Sequence, residues 1–163
     1  MRIRRIAATT IAFLCVGACG QQQSEQVPGS ESMQADAEPA AVPMPERTPS
    51  PAGARVFFIT PADRDVAANP IRIEFGIEGM YVVKAGDDRP SSGHHHLLID
   101  TGLPDLRAPI PADDRHIHFG DGSTTTEISL PPGEHTLRML LGDHRHIPHD
   151  PPVVSDAITL TVQ

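Results

Sequence analysis

All nine histidines of the 163-residue chain lie between His94 and His149. Eight of them fall in three clusters, GHHHLLID (Gly93 to Asp100), ADDRHIHFGDG (Ala112 to Gly122) and LGDHRHIPHDPP (Leu141 to Pro152), and His135 stands apart from these. A neutral imidazole offers an sp² lone pair to Zn²⁺, Cu²⁺ or Ni²⁺, and two or three must converge for tight binding. On a β-strand, residues i and i+2 share a face, so His94 with His96, and His116 with His118, would each make a two-toothed clamp. His146 and His149 bracket Pro148 and form a loop pair. These six are the candidate metal ligands. Copper or zinc suits an imidazole set that lacks thiolate, and Met139 falls on the core parity, out of reach. Asp100, Asp114 and Asp143 are the candidates for orienting the imidazoles from behind. His135 shares the parity of Leu137 and Met139 and reads as a partly buried structural histidine. The competing reading makes the clusters hydrogen-bond partners that brace loops, or a pH-sensitive surface.

The residues give catalysis less support. Metal-assisted hydrolysis needs an open coordination position and a carboxylate base, roles that Asp113, Asp114 or Asp143 could fill on paper. There is no HExxH helix, no serine nucleophile elbow and no phosphate-binding glycine loop. No catalytic residue is assigned, and an enzyme is not the expectation.

Strands must position these histidines, because the apolar residues repeat with period two. Ile71, Ile73, Phe75 and Ile77 alternate with Arg72, Glu74 and Gly76. The same alternation runs through Ile117–Phe119, Ile128–Leu130, Leu137–Leu141 and Ile158–Val162. Val56–Ile59 and Leu97–Ile99 are short continuous apolar runs that fit further strands. Turn residues separate the runs: Asn69-Pro70, Gly86-Asp87-Asp88, Gly120-Asp121-Gly122 and Pro131-Pro132-Gly133. The pattern predicts an all-β domain, an immunoglobulin-like antiparallel β-sandwich of about seven strands. Seventeen Pro and thirteen Gly agree with short strands and turns, and argue against a helical bundle. Thirteen Lys and Arg against 21 Asp and Glu give a net charge of -8, which disfavours nucleic acid as a partner.

The start of the chain reads as an address. Arg2, Arg4 and Arg5 precede the apolar stretch Ile6–Val16, which is too short to span a membrane but fits a signal-peptide core. Val16-Gly17-Ala18-Cys19 is similar to a bacterial lipobox, in which the Cys is lipidated and becomes the N-terminus. Residues 1–19 are therefore expected to be a lipoprotein signal peptide, with Cys19 as the lipidation site. Gly20 follows Cys19, and by its likeness to lipoproteins of Gram-negative bacteria this points to the periplasmic face of the outer membrane. Residues 20–54 are polar and proline-rich and read as a disordered tether; residues 55–163 are the His-rich domain. The partners expected are the membrane, through the lipid, and an envelope protein if the domain serves as an interaction module.

GHHHLLID, PADDRHIHFGDG and LPPGEHTLRMLLGDHRHIPHDPP, in that order and with GIEGMYVVKAG at Gly76, resemble the bacterial domain-of-unknown-function family 4399. The resemblance spans about Val56 to Gln163. It implies a small secreted or lipid-anchored domain and brings no established activity. HIHFGDGST is also similar to the His-x-His strand of copper–zinc superoxide dismutase. The mature cysteine pair and bridging-histidine pattern are missing, so dismutase chemistry is not implied.

Overall fold

The structure is a computed structural model that describes residues 46–163. The expected signal peptide, the lipidation site Cys19 and most of the expected tether lie outside the described residues. Nine strands and no helix make up the described part: β1 (Arg55–Thr60), β2 (Asp65–Ala67), β3 (Ile71–Glu78), β4 (Tyr81–Val82), β5 (Ser92–Ile99), β6 (His116–His118), β7 (Thr125–Ile128), β8 (Gly133–Gly142) and β9 (Ile158–Val162). The domain is all-β, as the alternation predicts.

Three strands form one sheet in the order β1-β3-β7. Six form the other, in the order β2-β9-β8-β5-β4, with β6 also paired to β5. β4 and β6 share one edge of β5, since β4 meets Ser92 and Gly93 while β6 meets His96 to Leu98. The strand count exceeds about seven, and β2 with β9 and β4 with β5 are parallel. Those two pairings depart from a wholly antiparallel arrangement. β2 and β4 have three and two residues, too few to show an alternation.

Both sheets contribute to one apolar core. Val56, Ile71, Ile73, Phe75 and Ile128 come from the smaller sheet; Leu97, Ile99, Leu137, Met139, Leu141, Leu160 and Val162 come from the larger. Each set follows the period-two parity that turns alternate side chains inward. β5 is exceptional because all eight of its residues are buried. One face lies in the shared core. The other is covered by two loops, through a small second cluster of Leu98, Ile110 and Leu140 with Val154 packed against it. The loops meet where the Ile110 amide donates to the His146 carbonyl at 2.8 Å.

Residues 47–50, at the end of the expected tether, pair with residues 148–150. The Asp150 amide donates to the Thr48 carbonyl at 2.9 Å and the Ser50 amide to the Asp150 carbonyl at 3.0 Å. Arg47 Nε donates to the Pro148 carbonyl at 2.9 Å. A polar segment can be ordered without burying apolar area when its backbone pairs with another segment, here residues 148–150.

Candidate metal centre

Two registers assemble the site. Within β5, His94 and His96 lie on the face turned away from the shared core, as i and i+2 must. Across the sheet, His96 stands directly opposite His118 of β6. A directly opposed pair places its Cβ atoms about 5 Å apart, close enough for imidazoles to meet. The ring centroids of His94, His96 and His118 are 4.9 Å apart in all three pairings. Their ligand atoms all lie within 4.8 Å of one another, so these three could hold a metal ion. His146, on the loop after β8, joins them at 4.8 Å from His94, 4.7 Å from His118 and 6.0 Å from His96, measured between centroids.

His94 and His96 are 0% and 1% exposed, while His118 and His146 stand at the solvent side of the cluster. The Nε2 atoms of His94 and His96 are 3.1 Å apart. Two nitrogens on one tetrahedral zinc, each about 2.05 Å from the ion, would be about 3.3 Å apart. The Nδ1 atoms of both residues are buried and have no partner among the described residues. Two glycines make room for the rings. A Cβ on Gly142 would sit 3.0 Å from His96 Nε2, and one on Gly120 would collide with the His118 ring.

The electrostatics favour the neutral form of His94, His96 and His118. Burial, and then the neighbouring imidazoles, push His94 down to about 4 and His96 to about 2. His118 is lowered by burial and by His146. At neutral pH His94 and His96 therefore each keep one ring nitrogen with a free lone pair. Asp143 acts on His94, and Asp121 on His118, in the opposite direction. These carboxylates would offset part of the charge of a divalent ion. Asp121 lies in a turn that the sequence marks only as Gly120-Asp121-Gly122.

The other candidates lie elsewhere. His116 faces Leu98 in the register, and its Nδ1 pairs with Asp113 Oδ1 at 2.8 Å, outside the cluster. His149 is fully buried, with Nε2 3.1 Å from the Ser92 carbonyl, and is not among the converging rings. Asp100 binds His135 Nδ1 at 2.7 Å and the Thr136 amide at 2.8 Å, so it does not orient a ligand. His135 Nε2 meets the Pro131 carbonyl at 2.9 Å. With an acceptor beside each nitrogen the pKa of the ring is raised, first by Asp100 and then by Pro131. Asp114 is exposed in the turn before β6. Asp143 alone of the three carboxylates belongs to the site. Burial alone would raise its carboxyl; hydrogen bonds from Thr48, Ile147 and Arg145 outweigh that and hold it below the usual carboxylate range.

His95, between two candidate ligands in sequence, points the other way. Its ring lies 5.1 Å from Phe75, and neither ring nitrogen has a partner among the described residues.

The family model described as Domain of unknown function (DUF4399) matches residues 73–163, more than half of the chain. β1 and β2 precede the matched span. Neither a curated protein nor a solved structure matches.

Proposed function

We propose that this chain, which belongs to the DUF4399 family, is an exported, lipid-anchored envelope domain that binds Zn²⁺ or Cu²⁺ to hold or buffer the ion. The observation that carries the reading is the meeting of His94 and His96 with His118 and His146, drawn from three separate segments. His94, His96 and His118 supply the core of the ligand set. His94 and His96, buried with their Nε2 atoms already facing one another, cost little to reorganise on binding. An all-imidazole set suits zinc or copper, whereas carboxylate-rich sites suit magnesium or calcium.

The test is titration of the purified, untagged protein with Zn²⁺ and Cu²⁺, following stoichiometry and melting temperature. One ion should bind per chain, and at 100 times Kd it should stabilise the fold by about 2.7 kcal/mol. His94→Ala/His96→Ala/His118→Ala should remove both effects. Weak binding with no change in melting temperature would refute the metal reading. The anchor is tested separately: Cys19→Ser should move the protein from the membrane fraction to the soluble fraction, and no movement would refute lipidation.

A second reading, an interaction module whose histidines brace loops, draws on His116, His135 and His149. Each of these is tied to Asp113, Asp100 or the Ser92 carbonyl. It accounts for those three and leaves the converging rings without a role.

A further inference from the structure

We infer that Asp143 and Thr48 are positioning residues of the metal centre: they hold His146 in place as the fourth ligand, which makes the segment entering the domain part of the site. The inference rests on the metal reading proposed above.

His146 is unlike the other three because no strand register places it. Its backbone sits at φ 67, in the left-handed region. A non-glycine residue stays there only where its surroundings dictate it. Asp143 supplies much of that constraint. Its carbonyl accepts the His146 amide at 2.8 Å and its own amide donates to the Ile147 carbonyl at 2.9 Å. Its Oδ1 accepts the amides of Arg145 at 2.8 Å and Ile147 at 2.9 Å. The loop from 143 to 147 is thus wound around one carboxylate, and His146 projects from it towards His94 and His118.

That carboxylate is 1% exposed, and its second oxygen takes its shortest hydrogen bond from outside the loop. Thr48 Oγ1 donates to Asp143 Oδ2 at 2.7 Å, with Arg145 at 3.3 Å on the same oxygen. Thr48 is itself fixed, since residues 47–50 pair with residues 148–150 and Arg47 donates to the Pro148 and His149 carbonyls. Arg145 closes the arrangement by donating to the Glu46 carbonyl at 2.7 Å. Stripping residues 46–50 away would expose one oxygen of a buried carboxylate and release the turn that presents His146. His94, His96 and His118 would remain where their strands put them. Metal would then be held by three ligands instead of four, and more weakly.

Co²⁺ provides the probe, because its visible absorption reports the number and geometry of its ligands. The purified protein, Thr48→Val, Thr48→Ser and His146→Ala would be loaded with Co²⁺, and Zn²⁺ affinity would be measured by competition. His146→Ala and Thr48→Val should shift the Co²⁺ spectrum in the same direction. Thr48→Val should weaken Zn²⁺ binding by about 10-fold or more, the scale of losing an outer partner of a ligand. Thr48→Ser, which keeps the hydroxyl, should restore both. The inference is overturned if Thr48→Val lowers the melting temperature yet keeps the wild-type spectrum and affinity, since the strap would then be structural alone. It is also overturned if His146→Ala binds as the wild type does. If Thr48→Val does not fold, Asp143→Asn is read against the same outcomes. Failure of the wild-type protein to take up either ion would sink the metal reading itself, a result distinct from the other two.

Discussion

Three consecutive histidines on β5 are equally buried, His94 and His95 at 0% and His96 at 1% exposure, yet the two faces of the strand treat them differently. On one face His95 lies in hydrocarbon beside Phe75, with both ring nitrogens unpartnered. On the other, His94 and His96 face two further imidazoles at 4.7–4.9 Å spacing for most ring pairs. Burial lowers the pKa of all three. What separates them is the company that the pleat gives each ring. A histidine becomes a ligand candidate through what it meets, and an isolated buried one is a cost that the rest of the core must offset.

The comparison is broken most decisively by exchanging what is removed. His96→Ala should weaken Zn²⁺ or Cu²⁺ binding by more than the roughly 10–100-fold that loss of an outer partner costs. His95→Leu, one residue away, should leave affinity unchanged. Equal losses in the two variants, measured by competition titration, would mean that the faces are not distinct.

Stability should move in the opposite sense. His95→Leu replaces an unpartnered buried ring with an apolar side chain, and chemical denaturation of the metal-free protein should show a gain of about 1–3 kcal/mol. His96→Leu in the metal-free protein sharpens the contrast, since it also deletes the 3.1 Å contact with His94 and should gain less.

Acid separates the faces more finely. His95 has a pKa lowered from 6.5 to about 4 by burial. Below pH 6.5 the unfolded chain binds a proton that the folded chain refuses, so stability falls from pH 6.5 down to about 4 and levels off beneath it. His95→Leu should flatten part of that fall in the metal-free protein, as read by melting temperature against pH.

The smallest effect concerns His135, which is outside the converging rings and bound to Asp100. Its folded pKa is raised above 6.5, so its bond to Asp100 contributes below pH 6.5 and is lost as pH rises through the folded value. Asp100 is lowered from 3.8, so the same bond is also lost in acid. Asp100→Asn should therefore lower the melting temperature most between those limits, and should leave metal affinity alone.

Much of this was legible in the residues. The alternation from Ile71 to Ile77 and from Leu137 to Leu141 marks β3 and β8, because a half-buried strand must sort its side chains by parity. The pairing of His94 with His96 follows from the same parity. The choice between His116 and His118 did not, since both share a face and only the long-range register opposes His118 to His96. Asp113, three residues before His116, captures that ring locally; an Asp so placed in a turn was the available signal. The separation of His146 from His149 depends on a loop wound around Asp143, which no periodicity records. Thr48 was hidden for a different reason: its neighbours have the composition of a tether, and long-range hydrogen bonds to residues 143–151 order them.

The run His94-His95-His96 also bears on how the chain checks its own assembly. A one-residue slip of β5 against β8 would exchange its faces. His94 and His96 would enter the hydrocarbon, and His95 alone would be left to meet the rings of His118 and His146. An ion held there would then lose a ligand, and binding free energy that depends on a formed site is folding free energy. A metal present during folding would proofread the central strand, favouring the one alignment in which alternate histidines reach it.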